Sequence, residues 1–333
     1  MENIYIFAIE TSCDETSVAI IKNGQEIISS VVLSQMDIHK KFGGVVPEIA
    51  SRNHIKNITL IFEECLEKAK MKMDNITAFA VTTGPGLIGS LLIGIQAAKI
   101  LSFIYQKPLI PIHHIAGHIY ANRLVGEFKF PLIVLVISGG HTELIYMEDH
   151  YLFRKIGETL DDAVGKCYDK VARVIGLSYP GGPEIDKLAQ IGKSNYNLPL
   201  PLDDGSYNFS FSGLKSAVIN LVHNEQQKGN EINKPNLATS FQNTVIDIIS
   251  KKTMSAVEKY KVKQLLVAGG VAANSGIRER LENECSKRNI DFVIPPIKYC
   301  TDNAVMIGIA GYYAYQKGIR GDLLQKGQAH INL

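Results

Sequence analysis

Residues 4–21 read IYIFAIETSCDETSVAII: an apolar run, a polar turn, then a second apolar run. Two such runs joined by turn residues spell a pair of antiparallel strands. Residues 132–147, LIVLVISGGHTELIYM, repeat the shape in the second half of the chain. Each hairpin is followed later by a strand, a glycine turn and a helix, AFAVTTGPGLIGSLLIGIQAA at 78–98 and QLLVAGGVAANSGIRERL at 264–281. A hairpin and a strand–glycine–helix unit, occurring twice in that order, predict an α/β protein built from two similar domains around a cleft.

Length agrees, because 333 residues exceed what one hydrophobic core usually serves. Hydrophobic periodicity predicts helices near 53–70, 160–176, 213–223, 241–260 and 302–317. The second half is the longer, and its surplus lies around 150–235, where PGGPEID and LPLPLDDGSYNFSFSG are rich in turn residues. The boundary is expected near residue 110, giving a first domain over 1–110, to which the C-terminal helix can return, and a second over 111–333.

With 46% hydrophobic and 20% charged residues and a net charge of +2, the composition is that of a globular protein and does not demand a nucleic-acid partner. Five scattered cysteines without a C-x-x-C are neither a disulfide framework nor a zinc ribbon, and they suit a reducing compartment. The N-terminus turns acidic within fifteen residues and has no basic leader, which is unlike a signal peptide. Gly89, Gly94, Gln96 and Lys99 interrupt the most apolar stretch, Leu87 to Tyr105, so a buried helix is expected there in place of a membrane span, and no membrane partner. The cytoplasm is the expected location.

Several residues offer chemistry, each with a blander alternative. His114 and His118 are four apart, one face of a helix, but Ile115 stands where a zinc protease carries its glutamate. With one carboxylate they make a three-ligand metal site with open positions, suited to iron(II) or zinc. Asp302 could supply that carboxylate, or simply cap the helix that follows it. Asp14 and Glu15 occupy the first hairpin's turn, as solvated turn residues or as carboxylates beside a bound phosphate. Thr159 and Asp162 read as a capping-box-like helix start, and Asp162, Lys166 and Asp169 as one polar helical face. That face is either an exposed one with an ion pair or, at Asp169, an acceptor for ribose hydroxyls. Glycine turns after strands suit phosphate binding. Lys40, Lys41, Arg52, Lys251, Lys252, Arg278, Arg280, Lys287 and Arg288 are candidate contacts for a polyanion, or solvated charge.

ETSCDET, FGGVVPEIASR, HHIAGH, VISGGHTEL, LDDAVGKCYDKVARVIGL followed by YPGGP, FSFSGLKSAV, GGVAANSGIRERL and CTDNAVMIG, in that order over essentially the whole chain, resemble the universal tRNA threonylcarbamoyladenosine synthesis family. ETSCDET looks like its bacterial and organellar branch, the threonylcarbamoyltransferases once described as glycoprotein endopeptidases. The resemblance implies an actin-like, sugar-kinase-like fold of two duplicated α/β domains around a nucleotide-binding cleft. It implies transfer of a threonylcarbamoyl group from threonylcarbamoyl-AMP to the exocyclic amine of the adenosine beside the anticodon, position 37, in tRNAs that read codons beginning with A.

By the same resemblance His114, His118 and Asp302 are ligands of one divalent metal, iron or zinc. Val136, Ile137, Ser138, Gly139, Gly140 and His141 form the loop holding the nucleotide or the adenylate. Asp169, Gly182, Asp186 and Asn274 are nucleoside contacts, and Asp14 and Glu15 are acidic residues on which activity depends. Magnesium would accompany the nucleotide where that is ATP. The implied partners are tRNA, an inactive paralogue forming a heterodimer, a small ATPase, and a separate synthase that supplies the adenylate. Two other readings fit the same fold: a carbamoyltransferase acting on a small molecule, and a non-catalytic actin-like nucleotide-binding partner.

Overall fold

In the computed structural model, which describes residues 2–333, the first hairpin forms as its pattern predicts. Strands β1 (Tyr5–Glu10) and β2 (Glu15–Lys22) pair antiparallel, and β3 (Glu26–Ser34) continues the meander. A short helix α1 (Met36–Lys40) leads to the long helix α2 (Pro47–Ala69), which starts with proline at its first turn, where the missing N–H costs nothing. Strand β4 (Ala78–Gly84), helix α3 (Ile88–Tyr105) and strand β5 (Leu109–His113) follow, β4 and β5 running parallel to β1. Helix α4 (His114–Tyr120) begins where β5 ends.

The second sheet starts with β6 (Leu132–Ile137), β7 (Thr142–Asp149) and β8 (Leu152–Glu158). Then come helices α5 (Val164–Val174), α6 (Gly181–Ala189), α7 (Ser212–Gln227) and α8 (Lys234–Tyr260). Strand β9 (Gln264–Ala268), helix α9 (Ser275–Lys287) and strand β10 (Asp291–Val293) complete it. The chain ends with helix α10 (Ala304–Gln316) and an irregular tail in which Gly321 bridges to Leu109.

The two five-stranded sheets have the same plan. Their orders are β3-β2-β1-β4-β5 and β10-β9-β6-β7-β8, which is one topology read from opposite edges. In each, the hairpin strands are antiparallel and the later strands parallel to the first. Strand order therefore reverses direction beside β1 and beside β6. Outside the carboxyl ends of strands at such a switch point an open α/β sheet leaves its binding crevice.

Two compact units result, one containing the chain up to Glu127 together with Pro295–Leu333, the other Phe128–Ile294. The boundary thus falls beyond residue 110, and α4 and α10 both belong to the first unit. Its hydrophobic core cluster includes Phe7, Ile9, Val18, Ile20, Phe79, Val81, Leu91 and Ile95. Helix α3 is not fully buried as expected. It packs Leu91, Gly94, Ile95 and Ala98 inward but leaves Ile100, Phe103 and Ile104 more than half exposed. By length and composition it could cross a membrane, and 28% of it is buried in its own unit.

Candidate functional site

In the first unit, the carboxyl ends of β1, β4 and β5 converge on one cluster. Strand β5 delivers the chain into α4 through His113, whose Nδ1 accepts from the Ile115 N–H and caps the helix. The neighbouring His114 and His118 then sit one turn apart on the same buried face. Helix α10 packs close to α4 because Gly117 has no side chain; a Cβ there would meet Ile307 Cδ1 at 2.7 Å. That approach brings Asp302, just ahead of α10, to the histidine pair. The helix-capping role considered for Asp302 belongs to Asn303, whose side chain accepts from the Met306 N–H. The Asp302 carboxylate is left to face the imidazoles.

His114 Nε2 and His118 Nε2 are 3.2 Å apart, and Asp302 Oδ1 lies 3.4 and 3.2 Å from them. Three donors on a tetrahedral ion, bonded at about 2.0–2.1 Å, stand about 3.3 Å from one another. The triangle therefore fits a single metal ion of the iron(II) or zinc type, with further positions open. Among the described residues these three form the one candidate metal cluster.

Behind His114 lies Glu10, the last residue of β1, fully buried. Its Oε2 is 3.3 Å from His114 Nδ1 and accepts from the Thr82 hydroxyl at 2.5 Å, while its Oε1 accepts from the Ser12 N–H at 2.5 Å. A carboxylate can only accept, so His114 presents Nδ1–H to Glu10 and its Nε2 to the cluster. Burial disfavours a charge on His114, yet Asp302 and Glu10 outweigh it and push the imidazole up to about 10. Burial and the neighbouring His114 cation keep His118 below its ordinary value, so the positive charge of the pair rests on His114. Burial also opposes the charges of Glu10 and Asp302, but the histidines hold both carboxyls below the usual range. Two carboxylates around one imidazolium leave net negative charge in a buried pocket, which favours a cation.

Asp14 and Glu15 lie in and just after the first hairpin's turn. Glu15 accepts from the Ser34 hydroxyl at 3.0 Å, and burial, then the Asp14 charge, push its carboxyl up to about 9.

In the second unit, β6 ends in the turn Ser138–His141. The Ser138 hydroxyl accepts from the N–H groups of Gly140 (3.3 Å) and His141 (3.0 Å), and the Ser138 N–H donates to the His141 carbonyl. Gly139 and Gly140 have open space where a Cβ would point. Val136 and Ile137 are fully buried in β6, so they support the turn from inside the sheet. Strand β9, parallel to β6, is followed by Gly269 (φ +94°), where any side chain would strike the Ile137 carbonyl.

Asp169 on α5 accepts from the Gly181 N–H at 2.8 Å and so anchors the start of α6; burial raises its pKa. Gly182, with open space before it, and Asp186 follow on that helix, four residues apart. Asp186 accepts from Gln242 Nε2 (2.9 Å) and from the N–H (3.0 Å) and hydroxyl (2.9 Å) of Ser275. Asn274 caps α9 and donates to Gln242 Oε1 at 2.8 Å. Gln242, buried in the middle of α8, thus joins Asp186 to Asn274.

The helix start expected at Thr159 lies later, since α5 begins at Val164 and Thr159 donates to the Asp162 carbonyl instead. Asp162 pairs with Lys215 and Lys170, and the adjacent Asp161 caps the 210–212 segment. Of the candidate basic contacts, Lys251 pairs with Asp203, Lys252 is buried on the carbonyls of Ser206 and Asn208, and Arg288 bridges Glu258 and Glu284.

Four polar residues that the sequence did not single out complete these sites: Glu10, Ser12, Thr82 and Gln242. Glu10 left a trace, as an acid closing the apolar run IYIFAIE.

The chain is 60% identical to the tRNA N6-adenosine threonylcarbamoyltransferase of Bacillus subtilis (strain 168), spanning all of this chain and 96% of that one. It is 58% identical to that of Staphylococcus saprophyticus, spanning all of this chain and 97% of the other. Among solved structures, component A of the Acidaminococcus fermentans (R)-2-hydroxyglutaryl-CoA dehydratase is 17% identical with a TM-score of 0.54, over 93% of this chain and 98% of that one. The activator of the Clostridium difficile 2-hydroxyisocaproyl-CoA dehydratase, solved with bound ADPNP, is 14% identical with a TM-score of 0.52, over 96% and 99%. Full-length HypF in its phosphate- and nucleotide-bound form is 14% identical with a TM-score of 0.63, over 96% of this chain and 47% of that protein. These structural likenesses show the fold, which is the actin-like α/β type. The profile of the TsaD family, tRNA N6-adenosine threonylcarbamoyltransferase, matches residues 26–309, and the chain belongs to that family.

Proposed function

We propose that the chain transfers the threonylcarbamoyl group of threonylcarbamoyl-AMP to the exocyclic amine of adenosine 37, in tRNAs reading codons that begin with A. The observation that carries this is the 60% identity to a named threonylcarbamoyltransferase across the full length of the chain. The donor is a mixed anhydride and the acceptor a weak nucleophile, so the site must stabilise a leaving phosphate and remove a proton.

In this reading Ser138–His141 hold the phosphate of the adenylate through turn amides. Asp169 and Gly182 receive the nucleoside, with Asp186 and Asn274 bracing that surface through Gln242. His114, His118 and Asp302 would hold one iron(II) or zinc ion, which when bound would supply Lewis acidity, an effect of several kcal/mol. Asp14 accepts the proton of the adenosine amine, a role worth about 10²–10⁴-fold. Glu15, whose carboxyl is pushed up to about 9, is protonated at neutral pH. ATP with magnesium is a second occupant of the nucleotide site.

The reading also takes the protein to be cytoplasmic, working with a synthase that makes the adenylate and with a small ATPase. An inactive paralogue is the partner proposed for the exposed Ile100, Phe103 and Ile104 of α3, because contiguous apolar surface of this kind marks protein contacts. Mass spectrometry of tRNA nucleosides from a depleted strain tests the function. Loss of threonylcarbamoyladenosine supports it, and unchanged levels refute it in favour of a small-molecule acceptor or a non-catalytic role.

A further inference from the structure

We propose that His54 is a positioning residue for the acidic turn: from α2 it fixes the peptide between Cys13 and Asp14, and so aims Asp14. The inference rests on the reading that Asp14 acts in the transfer step.

His54 is fully buried, on the inner face of α2 beside Ala50, Ile58 and Ile61. Its Nε2 lies 2.9 Å from the Cys13 carbonyl oxygen and its Nδ1 2.8 Å from the Thr16 hydroxyl. A carbonyl only accepts, so Nε2 carries the hydrogen. In the neutral ring Nδ1 is then the acceptor, and Thr16 donates to it. Burial lowers the pKa of the ring, in keeping with that neutral form. One imidazole therefore bridges residue 13 to residue 16, with Asp14 and Glu15 between its two attachment points.

A trans peptide is planar, with its C=O and N–H pointing opposite ways. Holding the Cys13 carbonyl therefore also directs the Asp14 N–H, away from His54. The adjoining peptides are held by backbone donors: Leu87 N–H reaches the Ser12 carbonyl at 2.8 Å and Gln35 N–H the Asp14 carbonyl at 3.1 Å. Three successive carbonyls are thus tied to three different parts of the unit. Only the central one depends on a side chain, and that side chain is His54. A buried polar residue reaching across from α2 does more than hydrophobic packing requires, since a leucine would fill the same space without desolvating two ring nitrogens. What it adds is a defined direction for the turn.

A misplacement of about 1 Å in a reacting group can cost about 10²-fold. His54→Phe keeps a ring and removes both hydrogen bonds. In the reconstituted tRNA-modifying system its single-turnover transfer per folded molecule should fall by about 10²-fold. Adenine-nucleotide affinity and metal content should stay at wild-type levels. His54→Gln, whose amide can still donate to the Cys13 carbonyl, should recover at least about tenfold of that loss. If His54→Phe fails the circular-dichroism check for folding, Thr16→Val decides, with an expected several-fold drop in rate at unchanged KM.

A folded variant with wild-type rate overturns the proposal, as does a loss of nucleotide or metal binding that parallels the loss of rate. Asp14→Asn is run alongside. If it transfers normally, the role of Asp14 falls and the proposal with it. If it is slow while His54→Phe is normal, the role of Asp14 stands and the positioning by His54 is wrong.

Discussion

Glu10 Oε2 stands 3.3 Å from His114 Nδ1, on the side of the ring opposite Asp302. The glutamate is itself immobilised, by the Thr82 hydroxyl and the Ser12 N–H. The ring is thereby held in one orientation, with its Nδ1–H on Glu10, before any ion arrives. Partners of this kind behind a metal ligand are typically worth about 10–100-fold in metal affinity.

Removing a ligand should empty the site without unfolding the unit. Asp302→Ala deletes one of three donors, while Asn303 still caps α10. Metal content measured by inductively coupled plasma mass spectrometry should fall to background in Asp302→Ala and in His114→Ala, with transfer lost and circular dichroism unchanged. Full metal stoichiometry in both variants would show that these residues are not the ligands.

Metal affinity should rise with pH. His114, with its pKa pushed up to about 10, is protonated at neutral pH in the metal-free protein, and that proton must leave before Nε2 can bind. Chelator competition should show affinity strengthening by up to about tenfold per pH unit between pH 6.5 and 8.5. Glu10→Gln, which no longer stabilises the imidazolium, should flatten that slope. A flat profile in the wild type would contradict the protonated His114.

Asp169 offers a carboxylate next to the open Gly182. Losing a charge-assisted hydrogen bond costs about 1.5–3 kcal/mol, so Asp169→Ala should weaken adenine-nucleotide binding roughly ten- to a hundredfold. Part of that loss belongs to the freed Gly181 N–H. Asp169→Asn keeps an acceptor there and should separate the two contributions. Equal calorimetric affinities for wild type and both variants would move the nucleoside elsewhere.

Glu15 predicts a pH dependence of stability with a definite sign. Its folded pKa of about 9 lies above the value of about 4.3 in an unfolded chain. The folded state therefore binds the proton more tightly, and its stability declines as pH rises from about 4.3 to about 9. In metal-free protein Glu15→Gln should raise the melting temperature, by more at pH 8.5 than at pH 5.5. A constant difference across that range would mean that Glu15 titrates normally.

Asp14→Asn preserves size and removes basicity. Nucleotide affinity should be equal or slightly improved, while single-turnover transfer to tRNA falls by at least about 10²-fold. Loss of nucleotide binding with normal transfer at saturation would make Asp14 a ligand-positioning residue.

The repeated hairpins were legible because apolar strands flank polar turns in IYIFAIETSCDETSVAII and LIVLVISGGHTELIYM. Their third strands, EIISSVVLS and LFRKIGE, lie at sheet edges with mixed exposure and leave no clear alternation. Local signals also compete. Asp302 and Asn303 are both good helix caps, and only the packing of α10 on α4 shows which one caps and which one faces the histidines. Thr159 and Asp162 imitate a capping box, but Asp162 is drawn to Lys215, far along the chain. Gln242 and Glu10 are single polar residues in apolar elements, and their burial follows from long-range packing that periodicity does not carry. The proposed ligand set and nucleotide loop rest on family resemblance, because a helical histidine pair alone has many commoner uses.

The three proposed metal donors are far apart along the chain: two on α4, and the third just before the last helix, with the whole of Phe128–Ile294 between them. Synthesis proceeds from the N-terminus, so His114 and His118 leave the ribosome long before Asp302 exists. Until then the pair can bind an ion only weakly and exchangeably. If these residues hold a metal as proposed, secure capture has to wait for a nearly complete polypeptide, and a tightly held ion would mark that translation has passed residue 302. A prematurely terminated chain would present two histidines and release whatever they picked up.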